Sequence, residues 1–115
     1  AKEILRKKGE EVVSKKAARQ TAEGLIETYV HAGGKIASVV ELNCETDFVA
    51  RTDEFKHLAR ELAMQVAAMN PQTVDELLTQ EYIRDPNQKV SDLIKEAIVR
   101  TGENIKVGKI ARFSL

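Results

Sequence analysis

The chain has 115 residues, a formal net charge of zero and 43% hydrophobic residues, which suits one globular domain with a single core. Aromatic residues make up 4% of the chain, and tryptophan is absent. This composition argues against a nucleic-acid binder, which would need an overall basic surface and aromatic side chains for stacking. No apolar run approaches the ~20 residues of a transmembrane helix, so no membrane partner is expected.

The N-terminal segment predicts two short helices. Residues 1–8 have a helical composition, and Gly9 is placed to end this first helix as a C-terminal cap. Residues 10–19 form the second predicted helix, because their apolar side chains recur at helical spacing. Two large apolar residues cannot hold the first helix in place alone. We therefore expect residues 1–9 to have packed against a segment that precedes them in a longer protein.

The next segment predicts a β-hairpin. Residues 24–31 are rich in β-forming side chains, and residues 35–42 alternate between apolar and polar, with Ser38 sharing the apolar face. The intervening Ala-Gly-Gly at residues 32–34 is typical of a turn. Two such strands around a glycine turn indicate antiparallel pairing.

Two longer helices follow the hairpin. Residues 53–69 and 89–101 carry apolar side chains at helical spacing, and Gly102 is placed to cap the second of these helices. Residues 71–88 are predicted as a connector with one short helical piece near residues 74–78. These helices supply apolar faces that can cover one side of a sheet.

The chain ends in a predicted strand over residues 104–114, with Gly108 as a possible bulge. The alternation predicts five apolar side chains on one face, namely Ile105, Val107, Ala111, Phe113 and Leu115. The simplest assembly is an α+β fold, a three-stranded antiparallel sheet with helices packed on one face.

Cys44 is the one cysteine of the chain, and it is a weak candidate for a catalytic nucleophile. The neighbouring carboxylates should raise its pKa, whereas a reactive cysteine needs a lowered pKa and a nearby base such as His57. A metal site from Cys44, Glu45, Asp47 and His57 lacks the paired spacing of zinc ligands. We expect Cys44 to be a half-buried packing residue and the chain to use neither a metal nor another cofactor.

The basic residues near the N-terminus are a second weak candidate site. Arg6, Lys7 and Lys8, with Lys15 and Lys16, could contact phosphates of RNA. Interspersed glutamates dilute this charge, and a solvated helix face explains the pattern more simply.

Residues 41–50, with the sequence ELNCETDFVA, are the most informative stretch. Thr46 and Thr52 both resemble helix N-caps, which places Asp47 and Phe48 in the first turn of a helix. The residue pattern alone favours Phe48 as a core residue over Phe48 as a projecting contact residue.

This stretch closely resembles the signature of the elongation factor Ts family. Three further stretches resemble that family in the same order, at residues 5–9 (LRKKG), 15–24 (KKAAR with Glu23-Gly24) and 102–105 (GENI). The resemblance implies a guanine nucleotide exchange factor, not an enzyme, that binds GDP-bound elongation factor Tu and speeds GDP release. Thr46, Asp47, Phe48 and Val49 would then contact the partner, with Phe48 exposed.

The resemblance also has consequences for domain organisation, assembly and location. It implies that residues 1–9 are the remnant of an N-terminal helical domain and that residues 10–115 form the core domain of the family. The chain has one core half where long members have two, so it resembles the short type, which can form a homodimer. Gly108-Lys109-Ile110 stands where the family commonly has two arginines and an aromatic residue. The expected location is the bacterial cytoplasm or an organellar matrix or stroma. The alternative function is a ribosome-associated interaction domain of the same fold without exchange activity.

Overall fold

The computed structural model describes the backbone of residues 2–31 and 33–115 and the side chains of residues 9–31 and 33–115. Its helices are α1 (Lys2–Lys16), α2 (Asp47–Ala50), α3 (Asp53–Met69), α4 (Val74–Thr79) and α5 (Val90–Thr101). Its strands are β1 (Glu23–Val30), β2 (Ile36–Cys44), β3 (Glu81–Tyr82), β4 (Asp85–Lys89) and β5 (Lys106–Ser114). Within this part of the chain, the helices are all too short or too polar to cross a membrane.

A three-stranded antiparallel sheet in the order β1-β2-β5 forms the framework, as the sequence predicts. The turn between β1 and β2 is closed by His31, whose backbone N–H donates to Ile36 O at 2.8 Å. Gly33 and Gly34 both have positive φ, as the predicted turn requires, while Ala32 lies outside the described residues. The α+β class with helices covering one face of the sheet is confirmed.

The core lies between β2 and α3. The four alternate residues Ser38, Val40, Leu42 and Cys44 of β2 are fully buried, which is the period expected of a strand with one covered face. Facing them, α3 buries Phe55, Leu58, Ala59, Leu62, Ala63 and Val66. The helix α5 packs against α3 and completes the core with Ile94, Ala97 and Ile98.

The predicted connector at residues 71–88 holds α4 as expected, but it also holds the β3–β4 hairpin, which the sequence did not predict. The buried side chain of Gln65 accounts for this hairpin. Gln65 Nε2 donates to Glu81 O at 3.0 Å, and Gln65 Oε1 accepts from Ile83 N at 3.0 Å. Gln65, 16 and 18 residues away in sequence, therefore provides hydrogen-bond partners for the backbone of the β3–β4 hairpin, which has little apolar surface of its own.

The predicted face of β5 is wrong beyond Gly108. Val40 pairs with Ile110, but Leu42 pairs with Val107, so the extra residue of a bulge lies at Gly108 and Lys109. A bulge changes which side chains face the core. Phe113 is consequently 66% exposed on the open face of the sheet, and Leu115 is fully exposed.

The predicted helix break at Gly9 is also wrong, because α1 runs without interruption through this residue. A Cβ atom on Gly9 would lie 3.6 Å from Val99 Cγ2 of α5, which is ordinary van der Waals contact. Gly9 thus lies where α1 packs against α5. The second predicted helix ends at Lys16 rather than at residue 19. Ala1 and the basic side chains of residues 6–8 lie outside the described part of the chain.

Two glycines with positive φ should respond very differently to alanine substitution. A Cβ on Gly24 would clash with the backbone of Leu42 and Asn43, whereas one on Gly102 would meet no atom within 4 Å. We expect Gly24→Ala to cost about 3 kcal/mol or more of unfolding free energy. Gly102→Ala, the control, should cost only the ~1–2 kcal/mol of the left-handed conformation. Urea unfolding of both variants measures the difference, and equal costs would contradict the close approach at Gly24.

Candidate functional site

The helix α2 begins where the buried strand β2 ends, and Thr46 caps it as predicted. Thr46 has extended backbone angles, φ −127° and ψ 155°, and its hydroxyl accepts from Val49 N at 3.4 Å. This N-cap satisfies one of the N–H groups that every helix leaves unpaired at its start. Thr52 caps α3 in the same way, through Phe55 N at 3.2 Å. Because the two caps are only six positions apart, α2 is only four residues long.

The side chains of α2 point in opposite directions. Ala50 is buried, and Val49 is half-buried against the core. Phe48, in contrast, is 87% exposed. The core placement that the residue pattern favoured for Phe48 is therefore wrong, and the exposure that the family resemblance implied is confirmed.

Asp47 lies beside Phe48 on the exposed side of α2. Its carboxylate forms an ion pair with Arg51, with Nε 2.7 Å from Oδ2. Both side chains are more than half exposed, so the pair orients the two groups more than it stabilises the fold. Sequence reasoning did not select Arg51, although its spacing of four residues from Asp47 is the usual signal for such a pair.

Glu103 is the functional candidate that sequence reasoning missed most clearly. Its Oε1 accepts from the backbone N–H groups of Glu45 at 3.1 Å and Thr46 at 3.0 Å. Its Oε2 accepts from the Thr46 hydroxyl at 2.6 Å. The four-residue stretch around Glu103 was recognisable only as family-like, since no local pattern predicts a contact across 57 residues of sequence.

Cys44 is fully buried, more so than predicted, directly before the site. Its Sγ lies 3.1 Å from Thr46 O, to which the thiol donates. Burial first, and then the negative charge of Glu103, raise the pKa of Cys44 to about 11. The predicted direction is confirmed, but the causes are burial and Glu103 rather than the nearest carboxylates in the sequence. A thiol held protonated in this way is a poor nucleophile.

His57 is engaged elsewhere, with Nε2 3.3 Å from Glu61 Oε1 on α3. Among the described residues, no group of three or more His, Cys, Asp or Glu side chains is placed to hold a metal ion. The structure thus does not bring Cys44, Glu45, Asp47 and His57 together as a metal site.

The raised pKa of Cys44 predicts slow alkylation of the folded protein. At about pH 8 the buried thiol stays protonated, so iodoacetamide should modify it much more slowly than an exposed thiol with a pKa near its usual ~8.5. The same protein unfolded in guanidinium is the control and should react quickly. Mass spectrometry measures the modified fraction over time, and equally fast reaction in both states would contradict the burial.

The same pKa shift has a consequence for stability. In the unfolded chain the thiol loses its proton first as the pH rises, so the unfolded state binds fewer protons than the folded state. The free energy of unfolding should fall between about pH 8.5 and pH 11. A Cys44→Ala variant should lack this component, which paired urea titrations at several pH values would show.

Comparison with known proteins agrees with the signature of the site. The family model described as "Elongation factor TS" matches residues 45–115, which include α2 and Glu103. Elongation factor Ts of Thermotoga maritima is 42% identical over 158 aligned positions, which cover 100% of this chain and 79% of the relative. Elongation factor Ts of Herpetosiphon aurantiacus is 39% identical and covers 97% of this chain and 79% of the relative.

The relative from Caldanaerobacter subterraneus, also named Elongation factor Ts, is 38% identical, covering 96% of this chain and 78% of its own length. These alignments are longer than the 115 residues of the chain, so each relative has residues within the aligned region that this chain lacks. The matches nevertheless extend over almost all of this chain. By the family model and by these relatives, the chain belongs to the elongation factor Ts family of translation elongation factors.

Proposed function

We propose that this chain is a guanine nucleotide exchange factor that binds GDP-bound elongation factor Tu and promotes GDP release during translation elongation. The observation that carries the proposal is the exposed Phe48 on a helix whose first turn is fixed by hydrogen bonds. A large aromatic side chain left in water on a fixed support is typical of a hot-spot contact at a protein interface.

The physical basis of the exchange is reciprocal linkage. If the chain and GDP each weaken the binding of the other to elongation factor Tu, the ternary complex is short-lived and GDP leaves. GTPases hold the nucleotide phosphates with a backbone loop, a lysine and Mg²⁺, and a small displacement of these groups weakens binding. Burying one Phe side chain provides about 1.5–3 kcal/mol, which is enough to bias the position of a partner helix.

The four proposed contact residues have different roles in this scheme. Phe48 would enter an apolar gap of the partner, and Asp47 would pair with a polar or cationic group beside it. Thr46 and Val49 are less exposed and would act mainly by holding α2, through the N-cap and the core contact respectively. No covalent bond is made or broken, so nucleotide exchange needs no catalytic acid, base or nucleophile.

The open face of the sheet supports a second proposal, that the chain forms a homodimer. The strand register places Val30 opposite Ala37 and Ala37 opposite Phe113 on this face. Ile26, Val30 and Phe113 are each more than 60% exposed. A second copy that contributes the same face would cover these apolar side chains and supply a second core half through an isologous interface.

Phe48→Ala should separate function from folding. Because Phe48 is exposed, its truncation should cost well under the ~3–5 kcal/mol of a buried Phe. It should slow GDP release from elongation factor Tu by about 30-fold, the equivalent of a loss of ~2 kcal/mol at a hot spot. Asp47→Ala should act in the same direction more weakly. Release of a fluorescent GDP analogue, together with thermal unfolding of each variant, provides both measurements.

The control for this experiment is Met69→Ala, which truncates an exposed apolar residue at the far end of α3 and should leave release unchanged. If Phe48→Ala releases GDP at the unsubstituted rate, the proposed mechanism is wrong. If the unsubstituted chain binds elongation factor Tu without speeding release, the non-exchanging interaction domain is the better assignment.

Phe113→Asp should dissociate the homodimer, because it places a charge in the middle of the apolar interface. Phe113 is exposed in the single chain, so the fold should tolerate the change. Sedimentation equilibrium should give a dimer for the unsubstituted chain and a monomer for the variant, with Met69→Asp as the control. A monomer for the unsubstituted chain at all concentrations tested would exclude the dimer.

A further inference from the structure

The helix α2 is too short to be stable by itself, since isolated helices below ~12–15 residues are marginal in water. Its C-terminal part is held by the buried Ala50 and the half-buried Val49. Asp47 and Phe48, at the other end, are exposed and contribute little anchoring of their own. The orientation of the proposed contact residues therefore depends on what fixes the N-terminal end of α2.

That end is fixed by the carboxylate of Glu103, from the turn between α5 and β5. One oxygen accepts from two consecutive backbone N–H groups, those of Glu45 and Thr46. The other accepts from the Thr46 hydroxyl, which in turn accepts from Val49 N. The Thr46 hydroxyl thereby donates its proton to Glu103, and a lone pair of the hydroxyl oxygen remains free to accept from Val49 N and cap α2. Hydrogen bonds to an ionised acceptor are stronger than neutral ones, and linked bonds reinforce one another.

A reciprocal contact strengthens this arrangement. Glu45 Oε2 accepts from Asn104 N at 2.6 Å, so each of the two segments supplies a carboxylate to the backbone of the other. The side chain of the buried Asn104 also donates to Arg19 O at 2.9 Å, just after α1. The start of α2 is thus tied to two segments distant in sequence.

We propose that Glu103 is a positioning residue for nucleotide exchange, which fixes the start of α2 so that Asp47 and Phe48 meet the partner in one orientation. This inference rests on the proposed function. Both carboxylate oxygens of Glu103 are occupied by hydrogen bonds within the chain, so Glu103 acts through α2 rather than by contact with elongation factor Tu.

The first test is made on the chain alone. Amide hydrogen exchange measured by NMR should show about 10-fold or greater loss of protection at the hydrogen-bonded amides of residues 46, 49 and 50 in Glu103→Ala, and a smaller loss in Glu103→Gln. Amides in the middle of α3 should keep their protection. Glu96→Gln, which alters an exposed carboxylate on α5, is the matched control. Unchanged protection at residues 46, 49 and 50 in both Glu103 variants would overturn the inference.

The second test is a double-mutant cycle on GDP release from elongation factor Tu. Glu103→Ala should slow release by about 10-fold, but in the Phe48→Ala background it should slow release by much less than 10-fold, because only the weaker contribution of Asp47 remains to be lost. Such non-additivity is expected if Glu103 acts through the orientation of Asp47 and Phe48. Fully additive losses would show an independent role for Glu103 and overturn the inference.

Thr46 provides a second route if Glu103→Ala does not fold. Thr46→Ser keeps the hydroxyl and should release GDP faster than Thr46→Val, which removes the hydroxyl with little change of shape. Equal release by both would count against the inference.

If Phe48→Ala itself leaves release intact, the proposed function fails, while hydrogen exchange still reports on the Glu103 contact. If Phe48→Ala slows release but neither Glu103 variant does, the positioning role alone fails.

Discussion

The close packing of α3 on the central strand β2 is the constraint on which the rest of the structure depends. Small side chains, Ala59 and Ala63 of α3 and Ser38 of β2, lie fully buried at this contact. The Ser38 hydroxyl donates to Ala63 O at 2.6 Å, a distance that only a close approach of helix and strand allows. A buried hydroxyl without a partner would be costly, so this bond also fixes the register of α3 against the sheet.

The position of the site follows from this packing. Because Cys44 is the last residue of β2 and is fully buried, the chain leaves the core at a defined point, and α2 begins three residues later, at Asp47. The start of α3 is equally defined, since Phe55 is buried in its first turn. The short segment between these two fixed points cannot turn both Ala50 and Phe48 inward. The core takes the small Ala50, and Phe48 is left in water.

The carboxylates around α2 have different partners according to how deeply they are buried. Glu103 and Glu45 are partly buried and bind backbone N–H groups, so their negative charge stabilises the junction of three segments. Asp47 is exposed and forms an ion pair with the exposed Arg51. The negative charge of Glu103 also acts on Cys44, whose pKa it raises together with burial. Glu103 and Glu45 are therefore engaged in hydrogen bonds within the chain. Asp47 and Phe48 are exposed and remain available to a partner.

The sequence by itself determined the elements whose signals are local. Caps at Thr46, Thr52 and Gly102 depend on residues three or four positions apart, and the alternation of β2 depends on a period of two. Tertiary structure decided what distant residues control: the continuity of α1 at Gly9, the β3–β4 hairpin held by Gln65, and the face of Phe113 beyond the bulge. It also decided that Phe48 points outward and that Glu103 holds the start of α2. These outcomes depend on which side chains fit into the core and on hydrogen bonds between segments far apart in the chain. Local sequence patterns predict neither the packing nor these hydrogen bonds.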